Sequence, residues 1–366
     1  MALSICIPAY KSVDLILPTL QTVLCQTYRD YEIVICNDSP QDHDQLEALL
    51  KQLGDPRITF FRNDQNLGYP GNLRKCIRLA KNDLVFLLGH DDYLLGNTLL
   101  ADLMQHLERH PELGGICRPY YWFGTDPRAP IRHTRKLAVS IVDITSATED
   151  LQELIFASGQ LSGLIFRKSL VTHDVHDHIF TAHVYPFLSI LRQRPLGYWP
   201  EFTVAVRVAS SQTRYLSTIY RPAPTKTWMD LMWTLFPEER FTKMRNAGIE
   251  LMSRNYVGLA QIKNYGSMQD LIVDIGYLIK YRPANLLIPK FWLASLGALL
   301  IPRLMLRWLV DTYKGLFLKY VYARQHIMEG VPPVASGSVL TPQGNDMRTW
   351  QPAGTPTKSD QVKVSH

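Results

Sequence analysis

An apolar strand runs directly into two adjacent carboxylates in the stretch Leu84-Val85-Phe86-Leu87-Leu88-Gly89-His90-Asp91-Asp92. Carboxylates at the end of a buried strand need a cationic partner, because removing their charge from water is costly. Mg²⁺ or Mn²⁺ is a suitable partner, since one or two carboxylates hold it and substrate phosphates complete its shell. The stretch therefore predicts a metal-assisted nucleotide site. The alternative is that Asp91 and Asp92 are a helix cap and a loop acid before the helix near Leu99.

Strands and helices alternate around this stretch over the first 115 residues. Apolar residues typical of strands occupy 3–7, 31–36, 58–61 and 84–88, and apolar residues at helical spacing lie between them. Strands that alternate with helices of this length indicate a mostly parallel sheet with crossover helices. We therefore predict an α/β, Rossmann-like fold, in which ligands bind beyond the carboxyl ends of the strands.

Four polar clusters fall at the predicted strand ends. They are Pro8-Ala9-Tyr10, Asn37-Asp38-Ser39, Asn66-Leu67-Gly68 and His90-Asp91-Asp92. Asp38 can accept a hydrogen bond from a base imide or a ribose hydroxyl, and Gly68 lets the backbone approach a ligand because glycine tolerates a positive φ. Pro70 and Gly71 then open a helix whose amino end favours anionic groups. Together the clusters predict a nucleotide-binding site.

The composition limits the partners and the compartment. With 366 residues, of which 46% are hydrophobic, the chain can form one large or two ordinary globular domains. Its five cysteines are an odd number without CxxC spacing, which favours buried thiols in a reducing compartment. No basic region precedes the first strand, so we expect no secretory signal and a catalytic part that faces the cytoplasm. No nucleic-acid partner is expected, and the sequence leaves the oligomeric state open.

Positive charge is concentrated in the second half of the chain. The formal net charge is +6, and residues 280–326 contain eight lysines and arginines against one acid. The longest charge-free run of this segment, 291–302, has 12 residues, fewer than the ~20 that a membrane-spanning helix needs. Basic residues that alternate with tryptophans and leucines predict helices that lie in the interface of a membrane. The alternative is a buried helical subdomain or a dimer face.

The order and spacing of the four clusters resemble the family-2 glycosyltransferases, which have a GT-A fold. The matching pieces are residues 4–10, 26–35, 37–39, 66–68 with Asn72, and Asp91-Asp92, within roughly residues 2–110. The resemblance implies a nucleotide-diphosphate sugar as the donor. It also implies that Pro8, Ala9 and Tyr10 line the nucleotide pocket together with Asn66, Gly68 and Asn72. Asp38 would contact the base, Asp92 would bind the divalent metal, and Asp91 would lie beside it as a second ligand or behind it.

The predicted catalytic base departs from the family pattern. Inverting members carry an acid before a helix in the second half of the domain, and His183 occupies that place here. A histidine there resembles the abequosyltransferase-like branch, which acts in surface polysaccharide assembly. A neutral imidazole with an ordinary pKa near 6.5 suits proton abstraction. Asp177 or Asp174 could instead be the base or orient His183, and His183 could instead be a structural, partly buried histidine.

These observations predict a metal-dependent, inverting glycosyltransferase of cell-surface polysaccharide assembly, such as O-antigen, capsule or exopolysaccharide. Its acceptor would be a glycan or a lipid-linked oligosaccharide at the cytoplasmic face of the membrane. Arg207 and Arg214 follow the last predicted strand and could clamp the diphosphate. The alternatives are a catalytically inactive glycosyltransferase-like binding protein and a sugar-phosphate nucleotidyltransferase. The latter would need a Gly-rich loop after its first strand.

The predicted organisation has four parts. A GT-A domain occupies residues 1–215, and a helical extension follows at 216–282. The basic, apolar helices occupy 283–327. Residues 328–366 have too few apolar side chains to form a core, so a disordered tail is expected.

Overall fold

The strand that precedes the two carboxylates lies in the middle of an eight-stranded sheet. The computed structural model describes residues 1–208, 217–313 and 333–336. The strands of this part of the chain are β1 (Leu3–Ala9), β2 (Tyr31–Asn37), β3 (Ile58–Arg62), β4 (Leu84–Leu87), β5 (Tyr93–Leu94), β6 (Gly115–Cys117), β7 (Tyr120–Phe123), β8 (Pro130–His133), β9 (Ile141–Val142), β10 (Ile165–Arg167), β11 (Leu196–Tyr198) and β12 (Val204–Arg207). The large sheet has the order β3-β2-β1-β4-β10-β6-β11-β9, and a second sheet has the order β5-β12-β7-β8.

Strands β1 to β4 form the parallel half of the large sheet. β1 pairs in parallel with β2 and with β4, and β2 pairs in parallel with β3. On the other side of β4, β10 runs antiparallel to both of its neighbours, whereas β6 and β11 are parallel to each other. The predicted α/β fold is confirmed, and its parallel half holds the polar clusters. Because β1, β2 and β4 run in the same direction, their carboxyl ends meet at one edge.

Helices cover both faces of the large sheet. Those of the described residues are α1 (Ile16–Leu24), α2 (His43–Leu53), α3 (Gly68–Leu79), α4 (Leu99–Arg109), α5 (Thr148–Ser158), α6 (Val184–Ser189), α7 (Pro224–Leu235), α8 (Thr242–Ser253), α9 (Val257–Tyr265), α10 (Met268–Tyr281), α11 (Pro289–Leu300) and α12 (Arg303–Tyr313). Leu3, Ile5 and Ile7 of β1 pack with α1, α2 and α4, whereas Cys6 lies on the opposite face with α3 and α5 to α8. Because both faces are covered, β1 is apolar along nearly its whole length, and each buried Leu or Ile contributes roughly 1.5–3 kcal/mol to folding.

The C-terminal helices form a further core beside the sheet. Leu259 of α9, Leu271 and Leu278 of α10 and Phe291 of α11 are buried in one cluster. Helices α11 and α12 both pack against α9. Among the described helices, none combines the length and the apolar character that crossing a bilayer requires. Within the segment from 283 to 313, α11 and α12 pack on the rest of the protein through their contacts with α9. The remainder of the predicted basic segment, 314–327, lies outside the described residues.

Four residues of the predicted tail extend the edge of the smaller sheet. Val334 pairs with Leu95, which directly follows β5. Asn97 secures the same segment, because its side chain donates to the Ser336 carbonyl and accepts from the Ser336 N–H. Residues 333–336 thus have a fixed place next to β5, in contrast to the disorder predicted for the tail. The tail beyond them lies outside the described residues.

Candidate functional site

A cleft of about 1150 Å³ opens at the carboxyl edge of β1, β2 and β4. Fourteen residues are predicted from the sequence to bind substrates or metal or to catalyse, and ten of them line this cleft; Ala9, Asp174 and Asp177 do not, and Arg214 lies outside the described residues. The structure therefore brings together four clusters that are up to about 80 residues apart in the chain, as expected where parallel strands end at one edge.

Asp38 is buried at the end of β2 and held by a network of amides. Its Oδ1 accepts hydrogen bonds from the Leu67 N–H at 2.7 Å and from Asn63 Nδ2 at 2.8 Å. Its carbonyl oxygen accepts from Asn66 Nδ2 at 3.0 Å. The bonds from Leu67 and Asn63 both end on Oδ1 of the carboxylate, which leaves Oδ2 as the oxygen that can contact a ligand. Asn63 directly follows β3, and this position after a strand is the signal by which the sequence could have identified it.

Asn72 and Ala9 shape the pocket from behind. Asn72 Nδ2 donates to the carbonyl oxygens of Ala9 at 3.2 Å and Cys36 at 2.9 Å, which ties the ends of β1 and β2 together. Both amide hydrogens of Asn72 are therefore used within the protein. Ala9 is fully buried. These bonds hold the strand ends at the spacing of the pocket, and Asn72, unlike Ala9, also lines the cleft, so its contact with a ligand stays a prediction.

The loops at the nucleotide side adopt left-handed backbone conformations. Gly68 has a φ of 70°, and its N–H donates to Asn66 Oδ1 at 2.9 Å, which closes a tight turn before α3. Lys11 has a φ of 48°, which is unusual for a residue with a side chain. Its N–H is held by Ser39 Oγ at 2.7 Å, and its side chain lines the cleft next to Tyr10. Lys11 therefore adds a cation to this side of the cleft that the sequence pattern does not assign to the site.

Asp92 is buried, and both of its carboxylate oxygens accept hydrogen bonds. Oδ1 accepts from the backbone N–H of Arg207 at 2.8 Å, and Oδ2 accepts from Ser162 Oγ and from Gln160 Nε2 at 3.2 Å. Burial raises the pKa of Asp92, and the negative charge of Asp91 raises it further. The charge of this carboxylate pair is therefore incompletely balanced, and a divalent cation would relieve the imbalance.

Gly89 allows the two carboxylates to converge. A Cβ atom on Gly89 would lie 2.8 Å from Asp92 Oδ2, 3.1 Å from Ser162 Oγ and 3.3 Å from Asp91 Oδ1. Oxygen atoms from both acids therefore crowd the same point in space. Any side chain at residue 89 would push them away from each other or from Ser162.

The carboxylate pair fits a divalent metal that shares its shell with a substrate. Both acids line the cleft; Asp91 is partly exposed, whereas Asp92 is buried and its two oxygens accept hydrogen bonds. Asp91 is therefore the more accessible of the two, and the assignment of the metal to Asp92, with Asp91 as a second ligand, stays a prediction. Among the described residues, no group of three or more His, Cys, Asp or Glu side chains could hold a metal alone. Phosphate oxygens would have to supply the missing ligands, as they commonly do for Mg²⁺.

Arg118 is a fully buried cation that supports Asp92 indirectly. Its guanidinium donates to the carbonyl oxygens of Ala157 at 3.0 Å, Gln160 at 2.9 Å and Ser162. These bonds fix the loop between α5 and β10, and this loop supplies two side-chain donors to Asp92. The positive charge of Arg118 also lowers the pKa of Asp92, which opposes part of the rise caused by burial. The sequence signal was an arginine within an otherwise apolar stretch.

His183 lines the cleft and is buried. Its Nδ1 is 2.8 Å from Tyr69 Oη, and its Nε2 has no well-oriented partner among the described residues. Burial lowers the pKa of His183 to about 4, and the charge of Arg118 contributes to this decrease. The ring is therefore neutral at physiological pH, but it is a weaker base than an ordinary histidine with a pKa near 6.5.

The acidic alternatives to His183 are engaged at the surface. Asp177 pairs with Arg74 at 2.7 Å, and Asp174 pairs with Arg74 at 3.4 Å and with Arg78 at 3.2 Å. The side chain of Asp177 is 89% exposed, and its hydrogen bond from Arg74 lowers its pKa. The structure therefore does not bring Asp177 to the other predicted residues, and a surface carboxylate of low pKa is a poor proton acceptor.

Arg207 lines the cleft with its guanidinium group beside aromatic rings. The group lies 5.6 Å from the ring centre of Tyr93 and 5.1 Å from that of Phe123, and it donates to Tyr93 Oη. These contacts fix its position at the end of β12. Its contact with a diphosphate stays a prediction, whereas its backbone bond to Asp92 is part of the site. Arg214 lies outside the described residues.

The cleft extends beyond the predicted nucleotide site into a second half. This second half lies between the strands β7 and β8 and the helices α9 and α12, with Phe180 beside them. Its polar and aromatic lining includes Trp122, Arg132, Asn264, Tyr265 and Arg307. The sequence pattern assigns none of these residues to a site, because they come from distant segments that only the fold brings together.

Comparisons with known proteins show that the first half of the chain is similar to glycosyltransferases. Residues 4–180 match the family described as Glycosyl transferase family 2. The Escherichia coli protein named UDP-Glc:alpha-D-GlcNAc-diphosphoundecaprenol beta-1,3-glucosyltransferase WfaP is 35% identical over 29% of this chain and 41% of its own length. An uncharacterized glycosyltransferase of Rickettsia felis is 31% identical over 73% of this chain and 44% of its own length. The chain thus spans less than half the length of these curated relatives.

The likeness to a solved structure extends over the helical region. The crystal structure of Staphylococcus aureus TarS 1–349 in complex with UDP superposes with a TM-score of 0.58. It covers 88% of this chain and 92% of that chain, at 14% sequence identity. At this identity the likeness concerns the fold alone, and it confirms the predicted GT-A architecture with a helical C-terminal region.

Proposed function

Because residues 4–180 are a family 2 glycosyltransferase domain on a GT-A fold, we propose that the chain transfers a sugar from a nucleotide-diphosphate donor. The observation that carries this proposal is the convergence of the Asp38 network and the Asp91-Asp92 pair in one cleft. Asp38 would hold the nucleoside, and the carboxylate pair would face the diphosphate. The name of WfaP includes a diphosphoundecaprenol-linked acceptor, which supports a lipid-linked glycan acceptor and a product in surface polysaccharide assembly.

The carboxylate pair is the proposed site of Mg²⁺ or Mn²⁺. Asp92 would bind the metal, and the more accessible Asp91 would be a second ligand. When bound, the metal neutralises charge on the departing diphosphate. The chain itself contributes a fixed geometry, because Ser162, Gln160 and the backbone of Arg207 orient Asp92 before any substrate arrives.

The proposed chemistry is a single displacement that inverts the anomeric carbon. The acceptor hydroxyl oxygen forms a bond to this carbon while the bond to the diphosphate breaks, and the hydroxyl proton passes to a base. His183 is the proposed base, since it is neutral, lines the cleft and is oriented by Tyr69. The attacking oxygen becomes more acidic as it bonds to carbon, so a neutral imidazole with a lowered pKa can accept the proton as this bond forms.

The metal site is tested with Asp91→Asn and Asp92→Asn, with the surface variant Asp177→Asn as the control. Thermal unfolding is measured with UDP, dTDP, CDP and GDP, with and without Mn²⁺, because ligand binding raises Tm by mass action. We expect Mn²⁺ to increase the nucleotide-induced rise in Tm for the wild type and the control, but not for the two cleft variants. An undiminished effect of Mn²⁺ in both cleft variants would contradict the assignment.

Turnover separates the enzyme from an inactive binding protein of the same fold. The nucleotide sugars that match the stabilising nucleotide are incubated with the protein and Mn²⁺, and release of the nucleoside diphosphate is followed. Metal-dependent release that is lost in Asp91→Asn supports a transferase. Nucleotide binding without release, in the presence of lipid-linked acceptors, would favour the binding protein.

We further propose that α11 and α12 contact the cytoplasmic face of an anionic membrane. Five apolar side chains on or next to these helices are each more than 60% exposed: Leu287, Leu293, Leu300, Leu304 and Trp308. The exposed Lys290 and Arg303 lie among them and are not part of the cleft lining. A surface that combines apolar side chains with positive charge matches the interface of a bilayer with anionic lipids.

Membrane contact is tested by sedimentation with vesicles of phosphatidylethanolamine and phosphatidylglycerol. The variant Leu304→Gln/Trp308→Gln removes two apolar contacts, and Phe156→Gln, at a side chain 45% exposed on α5, is the control. We expect the double variant to sediment less than the wild type and the control, and binding to weaken at high salt. Equal sedimentation of the three proteins would refute a contact through this surface.

A further inference from the structure

The second half of the cleft has the lining of a binding site for an anionic sugar. We propose that it binds an acceptor whose sugar is linked to a phosphate or diphosphate group, with Arg307 as the phosphate-binding residue. This inference rests on the proposed glycosyl transfer, since it concerns the substrate that enters opposite the nucleotide. It adds the place in the cleft where the phosphate of the acceptor would bind and the residues that would recognise it.

Charge is the first observation. The carboxylates among the described lining residues are Asp38, Asp91 and Asp92, and all three lie in the nucleotide half. The second half carries the guanidinium groups of Arg132 and Arg307. The described acids of the cleft are therefore confined to the nucleotide half, where Lys11 and Arg207 also lie, whereas the second half has two arginines and no described acid. An anionic acceptor would be attracted to the second half and kept apart from the carboxylates.

The arginines are positioned by aromatic rings. The Arg307 guanidinium lies 5.2 Å from the ring centre of Tyr265, and that of Arg132 lies 3.8 Å from the ring centre of Trp122. For Arg307, the phosphate-binding residue of the proposal, a position over an aromatic ring restricts a long side chain without using its N–H groups. A guanidinium group held in this way is suited to bidentate contact with phosphate oxygens.

A buried amide supplies a place for a sugar hydroxyl. Asn264 lines the cleft, is 5% exposed, and its Oδ1 has no hydrogen-bond partner among the described residues. A buried carbonyl oxygen without a donor is costly, so the position favours a ligand that donates. A sugar hydroxyl is such a donor. Asn264 and Tyr265 are adjacent on α9, so the hydroxyl contact and the aromatic support of Arg307 come from one helix.

Helix α12 connects this half of the cleft to the exposed apolar surface. Arg307 and Val310, three residues apart, line the cleft. Leu304 and Trp308, four residues apart on the same helix, are 80% and 62% exposed. Leu304 precedes Arg307 by three residues, so the cation and the exposed apolar side chains occupy neighbouring positions on the helix surface. A phosphate bound at Arg307 would therefore lie close to a surface suited to lipid.

The test measures binding to the second half with the nucleotide half already filled. The protein is saturated with Mn²⁺ and the nucleoside diphosphate that stabilises it. The binding of octyl diphosphate, inorganic pyrophosphate and octyl glucoside is then measured separately by titration calorimetry. We expect octyl diphosphate to bind and Arg307→Gln to weaken this binding about 10-fold or more, which is typical for the loss of a charge-assisted contact.

Arg303→Gln is the matched control, because it removes the same charge from the same helix one turn away. Arg303 donates to the Gly266 carbonyl at 3.1 Å and does not line the cleft. Tighter binding of octyl diphosphate than of pyrophosphate supports a lipid-linked acceptor, and equal binding supports a free sugar phosphate. Equal affinity of Arg307→Gln and wild type, or octyl glucoside binding as well as octyl diphosphate, would overturn the proposal. The nucleotide-induced rise in Tm, measured on the same samples, reports separately on the donor half.

Discussion

The substitution Gly89→Ala tests whether the geometry of the carboxylate pair matters for function. The backbone of Gly89 does not have a positive φ, so it can accept alanine without strain. Any effect of the substitution therefore comes from the contacts of the new methyl group. That methyl carbon would lie 2.8 Å from Asp92 Oδ2 and 3.3 Å from Asp91 Oδ1. Asp92 cannot simply turn away, because Ser162 and Gln160 hold the same oxygen.

The size of the effect follows from these distances. An ordinary contact of a Cβ atom begins at 3.4 Å, so Asp92 Oδ2 or the methyl group must move by roughly half an ångström. A displacement of about 1 Å in an active site can cost about 100-fold in rate. We therefore expect Gly89→Ala to weaken Mn²⁺-dependent nucleotide binding and turnover by about 10-fold. Overpacking is expected to lower the free energy of unfolding by about 1–3 kcal/mol.

Nucleotide affinity is measured by titration calorimetry with and without Mn²⁺, and stability is measured by urea unfolding. Gly276→Ala is the control, since a Cβ on Gly276 in α10 meets no atom within 4 Å. Alanine in a helix is expected to stabilise this control by roughly 0.5–1 kcal/mol without changing affinity. Wild-type Mn²⁺-dependent affinity and turnover in Gly89→Ala would refute the role assigned to the convergent carboxylates.

Three further outcomes are expected. Because burial lowers the pKa of His183 to about 4, below its value near 6.5 in the unfolded chain, the neutral form contributes stability above pH 6.5 that is lost as the pH falls toward 4. Urea unfolding at pH 7, 6 and 5 should show that the free energy of unfolding falls less with decreasing pH for His183→Gln than for the wild type. An equal dependence on pH in the two proteins would contradict the burial of His183. Because burial and Asp91 raise the pKa of Asp92, binding of Mn²⁺ with nucleotide should release protons near neutral pH, so the calorimetric enthalpy should differ between phosphate and Tris buffers. Removal of residues 333–366 should destabilise the protein more than removal of residues 337–366, measured by thermal unfolding, and equal stability would show that pairing at the sheet edge contributes little.

Much of the fold follows from local patterns in the chain. The four parallel strands are apolar over several consecutive residues, because helices cover both of their faces, and this pattern needs no knowledge of distant contacts. The positive φ of Gly68 is likewise a local property that its residue type reveals. The antiparallel strand β10 between β4 and β6 is different, because its place depends on pairing between segments about 80 and 50 residues apart.

The site residues that follow a strand were predicted from the sequence. The residues that hold them in place by hydrogen bonds from other segments were not predicted. Asp38 directly follows β2 and Asp91 lies four residues after β4, so both could be named from their position after a strand. Asn63 also follows a strand and Arg118 interrupts an apolar stretch, but no local pattern marks Ser162, whose importance lies in a hydrogen bond made across the fold. Hydrogen-bond partners are set by three-dimensional distance, which the order of residues does not specify.

The parallel half of the sheet, the edge at which ligands bind and the two adjacent acids at that edge can be predicted from the residues alone. These follow from hydrophobic periodicity and from the common direction of parallel strands. The tertiary structure sets the relative exposure of the two acids, since both line the cleft but Asp92 is buried and Asp91 is partly exposed. It also decided that His183 has a low pKa and that Arg307 lines the cleft, since solvation and proximity depend on how distant helices pack against the sheet.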